Sequence, residues 1–318
     1  MVLVPTWSEI ACASASQYDQ AMPDDAVLTP PILSACPTAE GWRARLRLEF
    51  TRRAERTVLT GRVHQGPLRV QKALYPEGQA ICHGLLLHPP SGIVGGDQLD
   101  IDVEVREGAH ALLTNPGATK WYRSAGATAL QDIRLRVEAA ARLEWLPQEN
   151  IVFDGALGQQ TLQVDLASAA RFLAFEVLCL GRRAAGERFT HGRFGMQTCI
   201  RQAGMPLWHE WGTLHGGSAF LDSPVGLRGA HTSATLLLAG VEDAPALAKV
   251  LRAALPASPQ WAVTGLPGVL VARWLGLGYG TGSAVGPEAA RGWFLQCWHV
   301  LRPLTLGAPA VTPRIWRT

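Results

Sequence analysis

The sequence contains little lysine, no run of basic residues and no long apolar segment. Among its 318 residues, lysine occurs only at Lys72, Lys120 and Lys249, and the arginines are scattered, so the net charge is only +3. Nucleic-acid-binding proteins cluster basic residues on one face, so we expect no nucleic-acid partner. No apolar run approaches the ~20 residues that a transmembrane helix needs, so we expect no membrane partner either.

Paired cysteines and a secretion signal are also missing. None of the six cysteines lies in a C-x-x-C pair, and the N-terminus lacks the basic and apolar regions of a signal peptide. In a chain of this size, unpaired cysteines are typical of a protein with reduced thiols rather than of a disulfide framework. We therefore expect a cytoplasmic protein.

The common catalytic motifs are absent. The sequence has no G-x-S-x-G nucleophile motif and no H-E-x-x-H zinc motif, and its glycine-rich stretch GIVGGD lacks the Lys-Ser/Thr ending of a phosphate-binding loop. Hydrophobic residues nevertheless make up 47% of the chain, which is enough for a substantial core. None of these common motifs therefore indicates the function.

Residues 1–40 differ in composition from the rest of the chain. They contain no lysine or arginine, are rich in alanine, serine and proline, and carry the acidic residues Glu9, Asp19, Asp24, Asp25 and Glu40. Such a composition favours a weakly ordered acidic extension, although its few large apolar residues could instead strap a partner. We therefore divide the chain into an extension at 1–40 and a folded domain at 41–318.

From residue 42 onward, short strands dominate the pattern. Apolar and charged residues alternate over 43–50 and again over 99–105, and further short strands follow between glycine and proline turns. No helical pattern interrupts residues 41–240, so we predict an all-β architecture. Two helices are predicted near the C-terminus, one capped by Asp243 and one from Glu288 to Leu301 that Pro303 ends, with a hairpin at 261–275 between them.

The stretch from His88 to Arg123 carries the densest proline and glycine punctuation in the chain. Two unusual turns there flank short strands and present Asp97, Thr119 and Lys120. Sharp turns alone would explain this pattern, since glycine and proline mark turns first. The polar side chains make a functional surface the alternative.

Two carboxylates lie in otherwise apolar or aromatic strands. Glu176 lies within RFLAFEVLCLG, and Glu210 lies between a histidine and a tryptophan. A buried carboxylate is costly unless it is paired, so we expect either a salt bridge, with Arg182 or Arg201 as candidates, or a polar passage through the domain.

Cys82, His83 and His88 form a weak candidate metal site. Thiolate and imidazole are ligands that nickel and zinc accept. Neighbouring residues of a strand point to opposite faces, however, so Cys82 and His83 cannot easily bind one ion together. A buried cysteine and a hydrogen-bonded histidine are the simpler interpretation.

Several long stretches resemble the UreD (also called UreH) family of urease accessory proteins. They cover the chain in order from about Trp42 to Thr318 and leave out the extension. Small departures occur at Ser91, Asn115 and Trp211. The matching stretches are GPLRVQKALYPEG, CHGLLLHPPSGIVGGDQL, TNPGATKWYRS, LEWLPQENIVFDGA, EVLCLGRRAAGERFTHG and the C-terminal PRIW.

The resemblance implies a maturation factor rather than an enzyme. It implies a β-helix-like, two-layer stack of strands that binds urease apoprotein together with UreF-like and UreG-like partners. GTP would bind to the UreG-like partner, and this chain would hold no cofactor tightly. Nickel from a UreE-like metallochaperone would pass transiently through the chain. The candidate residues for that passage are Asp97, Thr119, Lys120, Glu176 and Glu210.

Two other functions stay open at this point. The chain could be a β-rich hydrolase that uses Asp97 and Glu176 as a carboxylate pair, or a pure scaffold through which no metal passes. The C-terminal helices and the PRIW segment, with Trp316, could be a docking surface for a partner. PRIW could equally be a strap that closes the domain.

Overall fold

The computed structural model describes residues 41–277 and 285–317. The predicted extension at 1–40 lies outside the described residues. In chain order the strands are β1 (Arg43–Arg53), β2 (Arg56–Gln65), β3 (Arg69–Val70), β4 (Ile81–Leu87), β5 (Gly92–Ile93), β6 (Gln98–Val105), β7 (His110–Thr114), β8 (Thr119–Trp121), β9 (Ala129–Val137), β10 (Arg142–Trp145), β11 (Asn150–Val152), β12 (Leu157–Leu166), β13 (Arg171–Leu180), β14 (Arg193–Gln202), β15 (Met205–His215), β16 (Thr232–Ala239), β17 (Trp261–Leu266) and β18 (Val269–Leu275).

These strands build two stacked sheets. One has seven strands in the order β15-β14-β12-β9-β6-β1-β2, and its central strands pair in parallel. The other is an eleven-stranded sheet through which β4, β7, β10 and β13 also run in parallel. The chain passes repeatedly from one sheet to the other and forms a β-solenoid of about four turns. The predicted two-layer, strand-dominated fold is confirmed.

The alternation of apolar and charged residues along the strands determines which side chains form the core between the two sheets. In β1, Ala44, Leu46 and Leu48 are buried, while Arg45 and Arg47 between them face solvent. Strand β13 is largely apolar on both faces, Glu176 excepted, and both faces are covered. A second apolar cluster lies there, between the eleven-stranded sheet and the helices.

In the described part of the chain, three α-helices accompany the sheets: α1 (Ala219–Asp222), α2 (Ala244–Ala254) and α3 (Pro287–Leu306). The predicted cap of α2 is confirmed, since the carboxylate of Asp243 accepts the N–H of Ala246 at 2.9 Å. The predicted end of α3 was wrong, because the helix runs through Pro303 to Leu306. Burial of Arg302 and Leu306 holds this last turn despite the amide hydrogen that proline lacks.

The C-terminal segment closes the domain. A short 3-10 helix at Arg314–Arg317 brings Trp316 against Phe294 and Trp298 of α3. The indole of Trp316 donates to the hydroxyl of Thr114 on β7 at 2.8 Å. The PRIW segment is thus packed as a strap, and among the described residues no helix is long and apolar enough to cross a membrane.

Candidate functional site

A cavity with two carboxylates lies between the sheets at one end of the solenoid. Glu176 of β13 and Glu210 of β15 both line it, together with Thr198, Thr235 and Arg273. The space measures about 470 Å³, including the part open to solvent. The structure therefore brings together the two carboxylates that the sequence singles out, one from each sheet.

Glu210 is paired with an arginine that was not among its predicted partners. Arg273 of β18 donates to Glu210 at 2.6 Å and to the hydroxyl of Thr235 at 3.3 Å. The predicted partners Arg182 and Arg201 were wrong, because they pair with Glu187 and Asp165 instead. Arg273 faces inward from the middle of VLVARWL, and a charged residue in an apolar strand was the signal that could have identified it.

Glu176 has no arginine of its own among the described residues. Its carboxylate accepts a hydrogen bond from Gln160 of β12 at 2.8 Å. Burial, reinforced by the negative charge of Glu210, raises the pKa of Glu176 to about 7. A carboxylate with a pKa so far above about 4.5 exchanges its proton near neutral pH, which is characteristic of functional sites.

The raised pKa makes stability depend on pH. The folded protein holds this proton more tightly than the unfolded chain, so the free energy of unfolding falls as pH rises from about 4.5 to about 7. Glu176→Gln keeps an acceptor for Gln160 and removes the charge. Above pH 7 we expect the free energy of unfolding of this variant to exceed that of the original chain by about 2 kcal/mol, a figure reduced because water in the cavity screens the charge. At pH 4.5 we expect a smaller difference. Urea unfolding across this range measures the gain.

Asp165→Asn supplies the control for this prediction. Asp165 is an exposed carboxylate on the outer face of β12, with a side chain 57% exposed. Its replacement removes the same charge outside the cavity. A gain that is equal for the two variants, or that does not change with pH, would contradict the assignment to Glu176.

A row of polar side chains continues from Glu176 into the interior. Gln160 accepts a hydrogen bond from Asn150 of β11 at 3.0 Å, and Asn150 accepts one from the indole of Trp121 at 3.0 Å. All three are buried. This interior polar row (Trp121, Asn150, Gln160 and Glu176) joins the two sheets through their facing surfaces. Of this row only Glu176 was predicted from the sequence; Asn150 and Gln160 were missed because each is an ordinary polar residue in a strand.

Thr119 lies on β8, the neighbour of the strand that carries Asn150, and it lines a second cavity. Thr119 and Asn150 are register partners in the parallel pair β8–β11. Thr119 lines a space of about 510 Å³, again partly open, together with His88, Asn115 and Gln131. Lys120 follows Thr119 on the same strand and therefore points to the opposite face, away from this cavity. Thr119 and Lys120 are thus not brought together as side chains.

Asp97 serves a turn rather than a cavity. It is 4% exposed, and its carboxylate accepts the N–H groups of Trp42 at 2.8 Å and Val94 at 3.0 Å. Asp97 is not among the described residues that line either cavity. The structure therefore places Asp97 apart from Glu176, with its oxygens occupied by backbone.

Asp97→Ala is expected to lower the free energy of unfolding by about 3 kcal/mol. The substitution leaves two backbone N–H groups without a charged acceptor, each worth about 1.5–3 kcal/mol. Asp97→Asn keeps one acceptor oxygen and should lose about half as much. Urea unfolding measures both, and a loss below about 1 kcal/mol for alanine would contradict the structural role.

The weak metal candidates separate in space. The imidazole of His83 contacts Glu77 at 2.7 Å, while Cys82 faces the core between the sheets. Burial raises the pKa of the Cys82 thiol, so the thiolate that binds metals is disfavoured. Burial lowers the pKa of His88, and this effect outweighs the negative charge of Asp97, which acts to raise it. Within 41–277 and 285–317, no three His, Cys, Asp or Glu side chains are grouped so that they could hold a metal ion.

A buried ionic cluster lies on the other side of the eleven-stranded sheet. Arg302 of α3 pairs with Glu144 at 2.9 Å and with Glu77, and Glu144 also contacts His110 at 2.9 Å. Burial alone would raise the pKa of Glu144, but His110 and Arg302 lower it to about 2. This cluster was not predicted from the sequence, although Glu144 lies in the apolar run LEWL just as Glu176 lies within an apolar strand.

Comparison with known proteins identifies the family. Residues 42–317 match the model of the family described as UreD urease accessory protein. The urease accessory protein UreD of Dechloromonas aromatica is 52% identical over 281 residues, which cover 87% of this chain and 95% of that protein. That of Azoarcus sp. is 51% identical over 278 residues with the same coverage, and that of Delftia acidovorans is 44% identical over 308 residues, covering 91% and 98%. This chain therefore belongs to the UreD family of urease accessory proteins.

Proposed function

We propose that this chain is a non-catalytic subunit of urease maturation through which nickel passes on its way to the urease apoprotein. The cavity that Glu176 and Glu210 share is the observation that carries the proposal. It is a partly solvated space between two sheets, lined by two carboxylates and one arginine, and the interior polar row leads from it into the body. The relatives, which are named urease accessory proteins, supply the process.

The chemistry of the cavity suits transit better than storage. Carboxylate and hydroxyl oxygens from Glu176, Glu210, Thr198 and Thr235 bind a hydrated divalent cation weakly, and a site that conducts must also release. The proton on Glu176 leaves near neutral pH, so a cation can take its place at small cost. Thr119 and His88 in the second cavity are the next candidates along the route.

The proposal includes partners and a compartment. UreF-like and UreG-like proteins and urease apoprotein would bind this chain in the cytoplasm, and GTP would be bound and hydrolysed by the UreG-like partner. Nickel is the cargo of this process, and we propose no tightly bound cofactor for the chain. The hydrolase alternative loses its support because Asp97 holds a turn and lies apart from Glu176.

The test is deletion of the chain from cells that express the other urease genes. We expect urease that is assembled but poor in nickel and inactive, measured as nickel per purified urease and as ammonia release. Expression of the intact chain from a second plasmid should restore both. Fully active urease in the absence of the chain would overturn the proposed function.

A further inference from the structure

The wall of the second cavity is mainly apolar. It is built from β6 and β9 of the seven-stranded sheet and from β4, β7 and β10 of the other sheet. Five leucines, one isoleucine and one proline form most of it, and no carboxylate, arginine or lysine is among the described residues that line it. A largely apolar space with a few polar groups is the usual form of a binding site for a small organic molecule.

Two nitrogen atoms of residues in this wall are buried and have no hydrogen-bond partner among the described residues. They are Nε1 of Trp145 and Nε2 of His88. Trp145 is 3% exposed, and its register neighbours on β7 and β13 are Leu113 and Ala174, which offer no polar side chain. The indole nitrogen can only donate, and a buried donor without an acceptor is costly. The cavity is therefore suited to a ligand that brings an acceptor.

The polar side chains at one end of the cavity are already occupied. The amide oxygen of Asn115 accepts the N–H of Gln148, and its nitrogen donates to the carbonyl of Gly117. The hydroxyl of Thr114 accepts the indole N–H of Trp316. A ligand oxygen is therefore the acceptor that the unpaired indole of the cavity wall would use.

The charges around the cavity favour an uncharged ligand. Burial lowers the pKa of His88, so its imidazole is largely uncharged at neutral pH. The carboxylate of Asp97 acts on this imidazole through its negative charge and would repel an anion. An anion would also lose its hydration without gaining a cationic partner in the wall.

We propose that the second cavity binds a small uncharged organic molecule that has a carbonyl oxygen and an apolar body. The oxygen accepts from the indole of Trp145, and His88 donates to it in the tautomer that carries the proton on Nε2. The apolar body packs against the leucines of the wall. A molecule bound here would occupy space that the proposed nickel route crosses and would slow nickel transfer. The binding itself does not depend on that route, so the two proposals can fail separately.

Acetophenone and ethylbenzene test the proposal, because they share one skeleton and only acetophenone has a carbonyl oxygen. Each is titrated into the full chain with isotope-labelled tryptophan indoles and followed by NMR. We expect acetophenone to move the indole N–H signal of Trp145 downfield until it saturates, and ethylbenzene to cause no such downfield shift. Trp145→Phe identifies this signal by its loss. The variant should bind acetophenone at least about fivefold more weakly, as for one neutral hydrogen bond, and ethylbenzene within about twofold of the unaltered chain.

Three controls accompany this titration. Trp211→Phe removes a tryptophan that is 56% exposed on β15, away from the cavity, and should leave both affinities unchanged. Benzoate is close to acetophenone in size but carries a negative charge, and it should bind at least about tenfold more weakly. If Trp145→Phe does not fold, His88→Phe replaces it with the same expected affinities.

Four results would overturn the proposal. The first is the absence of a saturable downfield shift with acetophenone. The second is an equal weakening of acetophenone and ethylbenzene in the cavity variant, which would show that the nitrogen atom contributes only shape. The third is an equal effect of Trp211→Phe, and the fourth is benzoate binding as tightly as acetophenone, which would identify an anion site instead.

Discussion

Arg302→Leu is expected to lower the free energy of unfolding by about 3–5 kcal/mol. The guanidinium is fully buried, pairs with Glu144 and Glu77, and also donates to the carbonyl of Pro309. Leucine would leave two buried carboxylates without their cation, which costs far more than the loss of a solvent-exposed ion pair. Urea unfolding at pH 7 measures the loss.

Arg291→Gln is the matched control on the same helix. Arg291 pairs with Glu149 at 2.9 Å, but the arginine side chain is 25% exposed and the partner 15%. A pair in contact with water is worth about 0–1 kcal/mol. A loss for Arg302→Leu that is no larger than that for Arg291→Gln would show that the cluster does not hold α3 on the sheet.

The sequence predicted the elements whose surroundings repeat locally. In β1 and β6, alternate residues face the core and solvent, so a period of two is visible without knowledge of the neighbours. The cap of α2 is equally local, since Asp243 bonds an amide three residues on. The solenoid itself was expected only from the family resemblance. The alternation within a strand does not show how one coil stacks on the next.

The partners of buried charges could not be predicted, because they depend on which residues of distant strands lie opposite one another in the fold. Glu210 meets Arg273 because β15 and β18 face each other across the two sheets, 63 residues apart in the chain. Arg182 and Arg201 are nearer in sequence, but each is occupied by a carboxylate of its own neighbourhood. The end of α3 was missed for a related reason, because the contacts that carry the helix past Pro303 are tertiary.

Glu176→Gln is expected to reduce the nickel content of urease at least about tenfold in cells that lack the native chain. One charge removed at about 5 Å from a cation in a partly solvated site is worth about 3 kcal/mol, which more than suffices for a factor of ten. Nickel per purified urease and urease activity give the result. Co-purification of the UreF-like and UreG-like partners and of urease apoprotein should be unchanged.

One matched control variant separates a conduit from a scaffold. Asp165→Asn removes a carboxylate from the outer face of β12 and should load nickel normally. Asp97→Ala is unsuitable for this comparison, because loss of the turn contacts to Trp42 and Val94 would reduce loading through instability. Normal loading by Glu176→Gln, alongside failure of the deletion strain, would identify a scaffold through which no metal passes at this residue.

Glu176→Gln is expected to raise the stability of the fold and to lower the nickel content of urease. Because these effects have opposite signs, measuring both is decisive. A carboxylate retained for structure should destabilise the fold when it is removed, and any loss of function would follow that loss of stability. Glu176 costs stability above pH 7, since burial and Glu210 both oppose its charge. A variant that unfolds at higher urea and yet leaves urease without nickel therefore cannot be explained by misfolding. Proteins keep such destabilising groups where function needs them, and here the function would be to hold a passing cation.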